Sequence, residues 1–176
     1  MFSVPANEQA RLTALAALEI LDTGSSPAFE RICQIAQEHF HVPMVIVGFM
    51  DRDRVWMKAA RGLAPSSVPR GNTFCSETIM NDEVLVICDT LRDPRWSRSP
   101  FVQNHPHVRF YAGAPIIFSC GVRLGTVCLL DTKPRPFSKA DALVLKNLAD
   151  IAVSELRLLK AGRVAREMLS EKAFCA

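Results

Sequence analysis

Residues 44–50, MVIVGFM, form an unbroken apolar run rich in β-branched residues that ends at the charged Asp51. Such a run has no polar face to offer water, so it reads as a β-strand buried on both sides. The rest of the chain must therefore supply two covers for it. A short polar turn at 51–54 and a second strand, VWMKAAR, follow at once and make a hairpin.

The segments on either side show how the covers are built. Leu12, Leu15 and Leu18 recur every three residues in an alanine-rich background, interspersed with Glu8, Arg11 and Glu19, which predicts an amphipathic helix over 6–20. ILDTGSS breaks it. A second helix is expected from Pro27 to His41, with Pro27 in its first turn, Phe29, Ile32, Ile35 and Ala36 on one face, and HVP as its stop. GLAPSSVPRGNT reads as a loop, and FCSETIMND as a short helix with Thr73 at its N-cap. VLVIC (84–88) is a short strand. Residues 89–106 hold three prolines, few aliphatics and Trp96 flanked by Arg95 and Arg98; they form a long crossing loop with one helical turn at most.

Strands over 108–118 and 122–131 are joined by a tight turn at 119–121. Ser138 with Asp141 three residues on is the short-chain form of a capping box and starts a helix over 138–160. Its apolar residues, Val144, Leu145, Leu148, Ile151, Ala152, Leu156, Leu158 and Leu159, cover more than one stripe, so one face packs on the sheet while another remains for a partner. Gly162 weakens the helix by about 1 kcal/mol relative to alanine; residues 161–176 are a helical extension or a tail. No strand-helix-strand repeat builds a parallel sheet, so the class is α+β around an antiparallel sheet.

At 176 residues, 49% hydrophobic and 22% charged, the chain has material for one core, assigned here to 6–160. The net charge of +3 is spread along the chain without a dense basic block, which argues against nucleic acid as a partner. The start has no signal-peptide pattern, and the longest stretch without Asp, Glu, Lys or Arg, 110–122, falls short of the roughly 20 residues that span a bilayer. A cytoplasmic protein without membrane contact is expected. Cys33, Cys75, Cys88, Cys120, Cys128 and Cys175 include no CxxC pair and no zinc spacing; they are expected to be mostly reduced core residues, with no metal site.

Five segments, RLTALAALEILDTGSSPAFERI, VPMVIVGFMDRDRVWMKAARGL, FCSETIMNDEVLVICDTLRDPRW, VRFYAGAPI and RLGTVCLLDTKPRPFS, resemble in order and spacing the GAF domains that often precede histidine kinase or cyclic-di-GMP synthesis domains in bacterial signalling proteins. The resemblance covers about 150 residues. It implies a central antiparallel sheet with the N- and C-terminal helices on one face and a short helix plus a long loop on the other, roofing a pocket. The residues it places at that pocket are Phe49, Phe74, Cys75, Thr78, Asp89, Trp96, Phe110, Tyr111 and Asp131. Each also has a plainer reading. Phe49, Phe74 and Phe110 read equally as core, Asp89 and Asp131 as turn closers at strand ends, and Trp96 as a loop anchor. Tyr111, the only tyrosine, offers an apolar body with a polar tip.

More specific family activities find less support. Cyclic-nucleotide-binding members resemble one another in an Asn-Lys pair and a downstream Phe-x3-Asp-Glu; here Phe137 and Asp141 match, but position 142 is alanine and no asparagine lies between Asn104 and Phe137. Neither Cys75-Ser76 nor Cys88-Asp89 matches the bilin-attaching Cys-His, and His105 and His107 read as solvated loop residues rather than haem ligands. Free methionine sulfoxide reductase is the enzyme alternative in this fold. Cys75 falls at one of its cysteine positions, yet VRFYAGAP and APSSVPRGNT lack the others. There is no GxSxG, phosphate loop or HExxH, and Arg109 reads as a solvent-facing strand residue.

The expectation is thus a sensor and not an enzyme: an unidentified small molecule in the pocket, a homodimer formed through the terminal helices, and a downstream kinase or cyclase as effector. No cofactor is named by the residues. A structural dimerisation module, its pocket filled by Phe49, Phe74, Phe110 and Tyr111, is the competing expectation.

Overall fold

In a computed structural model that describes residues 4–64 and 66–174, the run at 44–50 is strand β1 (Met44–Met50), buried at every position. It lies inside a six-stranded antiparallel sheet with β2 (Arg54–Arg61), β3 (Ser67–Pro69), β4 (Leu85–Ile87), β5 (Phe110–Ile117) and β6 (Arg123–Asp131), in the order β3-β2-β1-β6-β5-β4. Helices α1 (Glu8–Leu18), α2 (Pro27–Phe40) and α5 (Lys139–Phe174) cover one face, and α3 (Phe74–Thr78) lies on the other. Within the long loop, α4 (Pro100–Gln103) is a single turn. The α+β arrangement expected from the sequence is the one found.

Local chemistry sets the element boundaries. Thr73 caps α3 by accepting the Ser76 N–H at 3.1 Å. At α5 the Ser138 hydroxyl accepts the Asp141 N–H at 3.1 Å while the Asp141 carboxylate accepts the Ser138 N–H at 2.8 Å, so the reciprocal box is complete. Helix α2 stops at His41, whose left-handed backbone turns the chain into Pro43.

Two expectations change, at 67–69 and on the buried face of α2, while the C-terminal extension is helical and most of the described cysteines are core. Segment 67–69, read as loop, pairs as the edge strand β3, too short to leave a periodic signal. On α2 the buried face is Phe29, Ile32, Cys33 and Ala36, while Ile35 is 46% exposed. Helix α5 runs past Gly162 to Phe174. Cys33, Cys75 and Cys128 are buried as free thiols, but Cys88 is exposed; the Cys120 side chain and Cys175 lie outside the described residues. Among the described residues, no helix is long and apolar enough to cross a membrane.

The largest departure from sequence expectation is at Arg11, which is fully buried beneath α1 rather than on its polar face. Arg11 and the equally buried Arg70 grip one carboxylate. Arg11 donates to Glu8 at 2.8 and 2.7 Å, and Arg70 donates to it at 2.5 and 3.2 Å. Their remaining donors reach the backbone at the end of β1: Arg11 bonds the Met50 carbonyl, and Arg70 the Asp51 carbonyl at 3.0 Å. The network locks α1 to the β1–β2 turn and to the segment leading into α3.

Sheet packing also depends on a missing side chain. A Cβ on Gly125 would fall 2.0 Å from the Gly48 carbonyl oxygen and 2.9 Å from Phe49 Cα, because β6 passes tightly against β1 there.

Two predictions follow from these contacts. Burial alone would raise the Glu8 pKa, but the hydrogen bonds and charges of Arg11 and Arg70 outweigh it and hold the group down at about 2, against an ordinary 4.5. A depressed carboxylate stabilises the fold above its unfolded pKa, and that contribution is lost as pH falls through the folded one. Denaturant unfolding between pH 5 and about pH 2 is therefore expected to show a loss on the order of 3 kcal/mol from this group. Glu8→Gln removes the carboxylate that Arg11 and Arg70 share, and is expected to cost roughly 3–5 kcal/mol at pH 7 and to flatten that dependence. Gly125→Ala is expected to cost roughly 3 kcal/mol or more, read as a lower midpoint with unchanged slope, since backbone on both strands must move.

Candidate functional site

Strand alternation sorts the sheet residues onto two faces. Val45, Val47, Phe49, Phe110, Ala112 and Leu129 point to the helices, and Met44, Ile46, Tyr111, Cys128 and Leu130 point the other way. Register joins the second group across three strands: Ile46 pairs with Cys128, Met44 and Tyr111 both pair with Leu130, and Gly113 pairs with Cys128. Helix α3 stands over this patch, and Leu63, Ala64, Ser66 and Val68 with the loop residues Phe101, His105, Pro106 and Val108 form its rim. A cavity of about 610 Å³ remains between them. Its walls are mostly aliphatic, aromatic and thioether groups, and among the described residues lining it there is no Asp, Glu, Lys or Arg.

Ser66, Thr73, His105 and Thr132 are polar residues of the lining, and a further polar cluster lies at and beneath the floor. Thr78 donates to the Phe74 carbonyl at 3.0 Å, which leaves its oxygen to accept from the Tyr111 phenol at 2.7 Å. The same phenol is 3.8 Å from Cys75 Sγ, which is 4.0 Å from Cys128 Sγ. Gly113 is what makes room for the phenol, since a Cβ there would lie 2.2 Å from it. Phe74 stacks on the Tyr111 ring with centroids 4.9 Å apart, and Trp96 packs against Phe74 at 4.3 Å. The hydrogen bond with Cys128 outweighs burial and holds the Cys75 thiol below its ordinary pKa. Cys128 is pushed well up by that same bond and by burial. Burial, with the neighbouring sulfurs, likewise pushes Tyr111 up, so it stays a neutral phenol.

Of the residues singled out from the sequence, Phe74, Cys75 and Tyr111 line the cavity. Thr78 and Trp96 stand directly behind it, holding Tyr111 and Phe74 in place. Phe49 and Phe110 do not reach it. Phe49 meets Phe29 edge-on at 6.0 Å and Phe110 lies 5.6 Å from Phe137, both on the helix-covered face. Asp131 pairs with Phe110 across the sheet and so shares that face; its carboxylate accepts the Lys133 N–H at 3.0 Å and binds the Arg135 guanidinium. Asp89 accepts the Leu91 N–H at 3.2 Å and forms an ion pair with Arg109 at 3.0 Å, closing the mouth of the long loop and giving Arg109 a partner. His105 is exposed at the cavity rim.

Met44, Ile46, Met57, Cys128 and Leu130 were not singled out from the sequence, yet they form much of the wall. Parity would have found some of them. If Tyr111 faces a pocket, Phe110 cannot, and the residues facing Tyr111 on the neighbouring strands must.

A second hollow, of about 470 Å³, lies at the β2 edge and is polar. Lys58, the extra residue of a bulge where Gly48 pairs with Met57 and Val47 with Ala59, lies in it. Its ammonium donates to Thr23 Oγ1 at 2.7 Å and the Gly24 carbonyl at 2.6 Å, so it pins the α1–α2 connection. Burial lowers its pKa. The apolar cavity, with convergent polar groups at its floor, is the better site for a small molecule.

Comparison with known proteins agrees with this architecture. The chain is 32% identical over 157 residues to a cyclic di-GMP phosphodiesterase of Pseudomonas aeruginosa, an alignment that takes in 89% of this chain and 27% of that protein. The chain thus spans about a quarter of the length of that relative. Among solved structures, the GAF domain of an Acinetobacter phosphoenolpyruvate-protein phosphotransferase superposes with a TM-score of 0.63 at 16% identity, covering 92% of this chain and 97% of that one. The free methionine-R-sulfoxide reductase of Neisseria meningitidis, solved with its substrate, gives 0.64 at 18% identity with the same coverages. At those identities the likeness is one of fold. The family description "GAF domain" matches residues 26–156, and on that match, with the sheet and its two covers, the chain belongs to the GAF domain family.

Proposed function

We propose that this domain is a sensory module of a signalling protein that takes an uncharged, largely apolar small molecule into the cavity over β1, β5 and β6. The cavity itself carries the proposal: about 610 Å³ of space between sheet and α3, with no charged residue among the described residues that line it. A phosphate-bearing ligand would enter without a counter-charge, which is costly in an apolar site. Cys75 at the floor, with Ser66 and His105 elsewhere in the lining, fixes orientation, and the thioether and aliphatic walls supply affinity. The self-filled alternative loses support from the positions of Phe49 and Phe110, which leave only Phe74 and Tyr111 of its four aromatics in the cavity.

The output proposed is a dimer through α5. Leu145, Leu148, Ala152 and Leu156 bury one face of that helix, while Ile151 is 46% exposed, Leu158 65% and Met168 58%. Ile151, Leu158 and Ala165 are seven apart, the spacing of a helix-pairing seam. Arg163 ties the helix back to α1 by donating to the carbonyls of Leu18 at 3.0 Å and Ala17 at 2.5 Å. A change over the cavity that moves α1 would therefore be felt by α5. Kinship to a cyclic di-GMP phosphodiesterase supports an effector that handles that nucleotide elsewhere in a longer chain.

Native mass spectrometry of the freshly purified protein tests both parts. A dimer that carries a neutral organic mass is the expected result, and a bare monomer that binds no uncharged probe would overturn the proposal. Leu63→Trp, at the half-buried rim, is expected to weaken binding of the neutral dye Nile red by roughly tenfold or more by filling the entrance, with little change in melting temperature. Leu158→Glu is expected to yield monomer by light scattering at micromolar concentration without altering dye binding.

A further inference from the structure

The cavity floor holds two thiols from different elements, Cys75 on α3 and Cys128 on β6, with sulfurs 4.0 Å apart. Both border the cavity, but only Cys75, 9% exposed, can be touched by a molecule inside it; Cys128 lies fully covered behind it. Cys33 is also buried, but it belongs to the helix-covered core, where burial drives its thiol up to about 11. Cys88 is exposed. Among the described thiols, only the pair at the floor combines mutual reach with access, through Cys75, from an apolar space.

We infer that the Cys75–Cys128 pair is an oxidant-sensing site that reacts with uncharged organic hydroperoxides admitted to the cavity, closing a disulfide between α3 and β6. The inference rests on the proposed reading of the cavity as a site for uncharged apolar molecules. Cys75 is the attacking sulfur, because it is the one of the pair that the cavity exposes while Cys128 is covered behind it, and the bond with Cys128 favours its thiolate. The thiolate attacks the terminal oxygen of R–O–O–H. The S–O bond forms as the O–O bond breaks, giving Cys75 sulfenic acid and an alkoxide that leaves with a proton as R–OH. Cys128 then attacks the Cys75 sulfur, the S–O bond breaks, and hydroxide takes the Cys128 proton and departs as water. Two thiols and one hydroperoxide thus become one disulfide, one alcohol and one water. The sulfurs must close from 4.0 Å to about 2 Å, which draws α3 down onto the sheet. Helix α3 is joined to the buried arginine network, since the Ser76 hydroxyl donates to the Arg70 carbonyl at 2.6 Å. Oxidation at the floor therefore pulls on the clamp that holds α1.

The test treats the full, freshly reduced chain with stoichiometric cumene hydroperoxide, hydrogen peroxide or free methionine sulfoxide, and reads intact mass and non-reducing peptide maps over time. The expected result is loss of two hydrogens and a peptide linking Cys75 to Cys128, formed roughly tenfold or more faster with cumene hydroperoxide than with hydrogen peroxide because the apolar walls favour the larger molecule. Zwitterionic methionine sulfoxide is expected to leave the thiols reduced. Cys128→Ser should stop at Cys75 carrying one added oxygen, trapped by dimedone. The wild-type peptide map decides the matter even if that variant folds poorly. Linkage through Cys88 instead, no linkage, equal rates for both peroxides, or oxidation by methionine sulfoxide at a comparable rate would each overturn the inference. Nile red binding to the same reduced sample separates the two failures: dye bound with inert thiols sinks the redox site alone, and no dye with inert thiols sinks the cavity reading as well.

Discussion

A single carboxylate between two buried guanidiniums is the joint on which the rest of this domain turns. Glu8 belongs to the first helix, Arg11 to its next turn and Arg70 to the segment that starts α3, and the donors left over reach the carbonyls of Met50 and Asp51 at the end of the central strand. The carbonyls of Met50 and Asp51 serve the two guanidiniums as further acceptors beside the shared carboxylate. Four elements meet there, so a displacement of any one is carried to the others through charged bonds rather than through soft packing. At its far end α1 is held by Arg163 of α5. The N-terminal helix is thus bonded at one end to the entry of the cavity-covering helix and at the other to the longest helix of the domain.

The cavity is what remains when one face of the sheet is covered by three helices and the other by a five-residue helix and a loop. Three helices fill their face with interlocked side chains from Leu15 to Leu156. On the other side, the short helix covers only the ground over β5 and β6, and the missing Cβ of Gly113 lets the Tyr111 phenol lie down beside Thr78 instead of standing in the cavity. The lining is therefore mostly apolar with a few polar groups and no Asp, Glu, Lys or Arg among the described residues, the balance that holds and orients a small neutral molecule.

Much of this was legible along the chain. The capping pairs at Thr73 and Ser138, the unbroken run of β1 and the two hairpins are local signals, each set by residues within a few positions, and each element stands where those signals put it. The site was legible only in part. Phe74, Cys75 and Tyr111 are at the cavity, whereas Phe49 and Phe110 turn to the helices. In strands buried on both sides, hydrophobicity does not tell the faces apart, and one residue of register decides which aromatic is wall and which is core. Asp89 and Asp131 follow their plainer reading, closing turns and pairing with arginines.

What the sequence by itself determined is the order of the main elements and the α+β class, because propensity, capping and hydrophobic period act over short stretches; the covering of one face by the terminal helices came from the resemblance. What only the tertiary structure decided is which atoms meet. The burial of Arg11, the 4.0 Å approach of Cys75 to Cys128 and the uncharged lining of the cavity come from residues far apart in the chain. Arg11 carries the same local pattern as a solvated arginine on an amphipathic helix. Its fate is fixed by Glu8 and by backbone acceptors at β1, and the latter come within reach only when α1 packs across the end of the sheet.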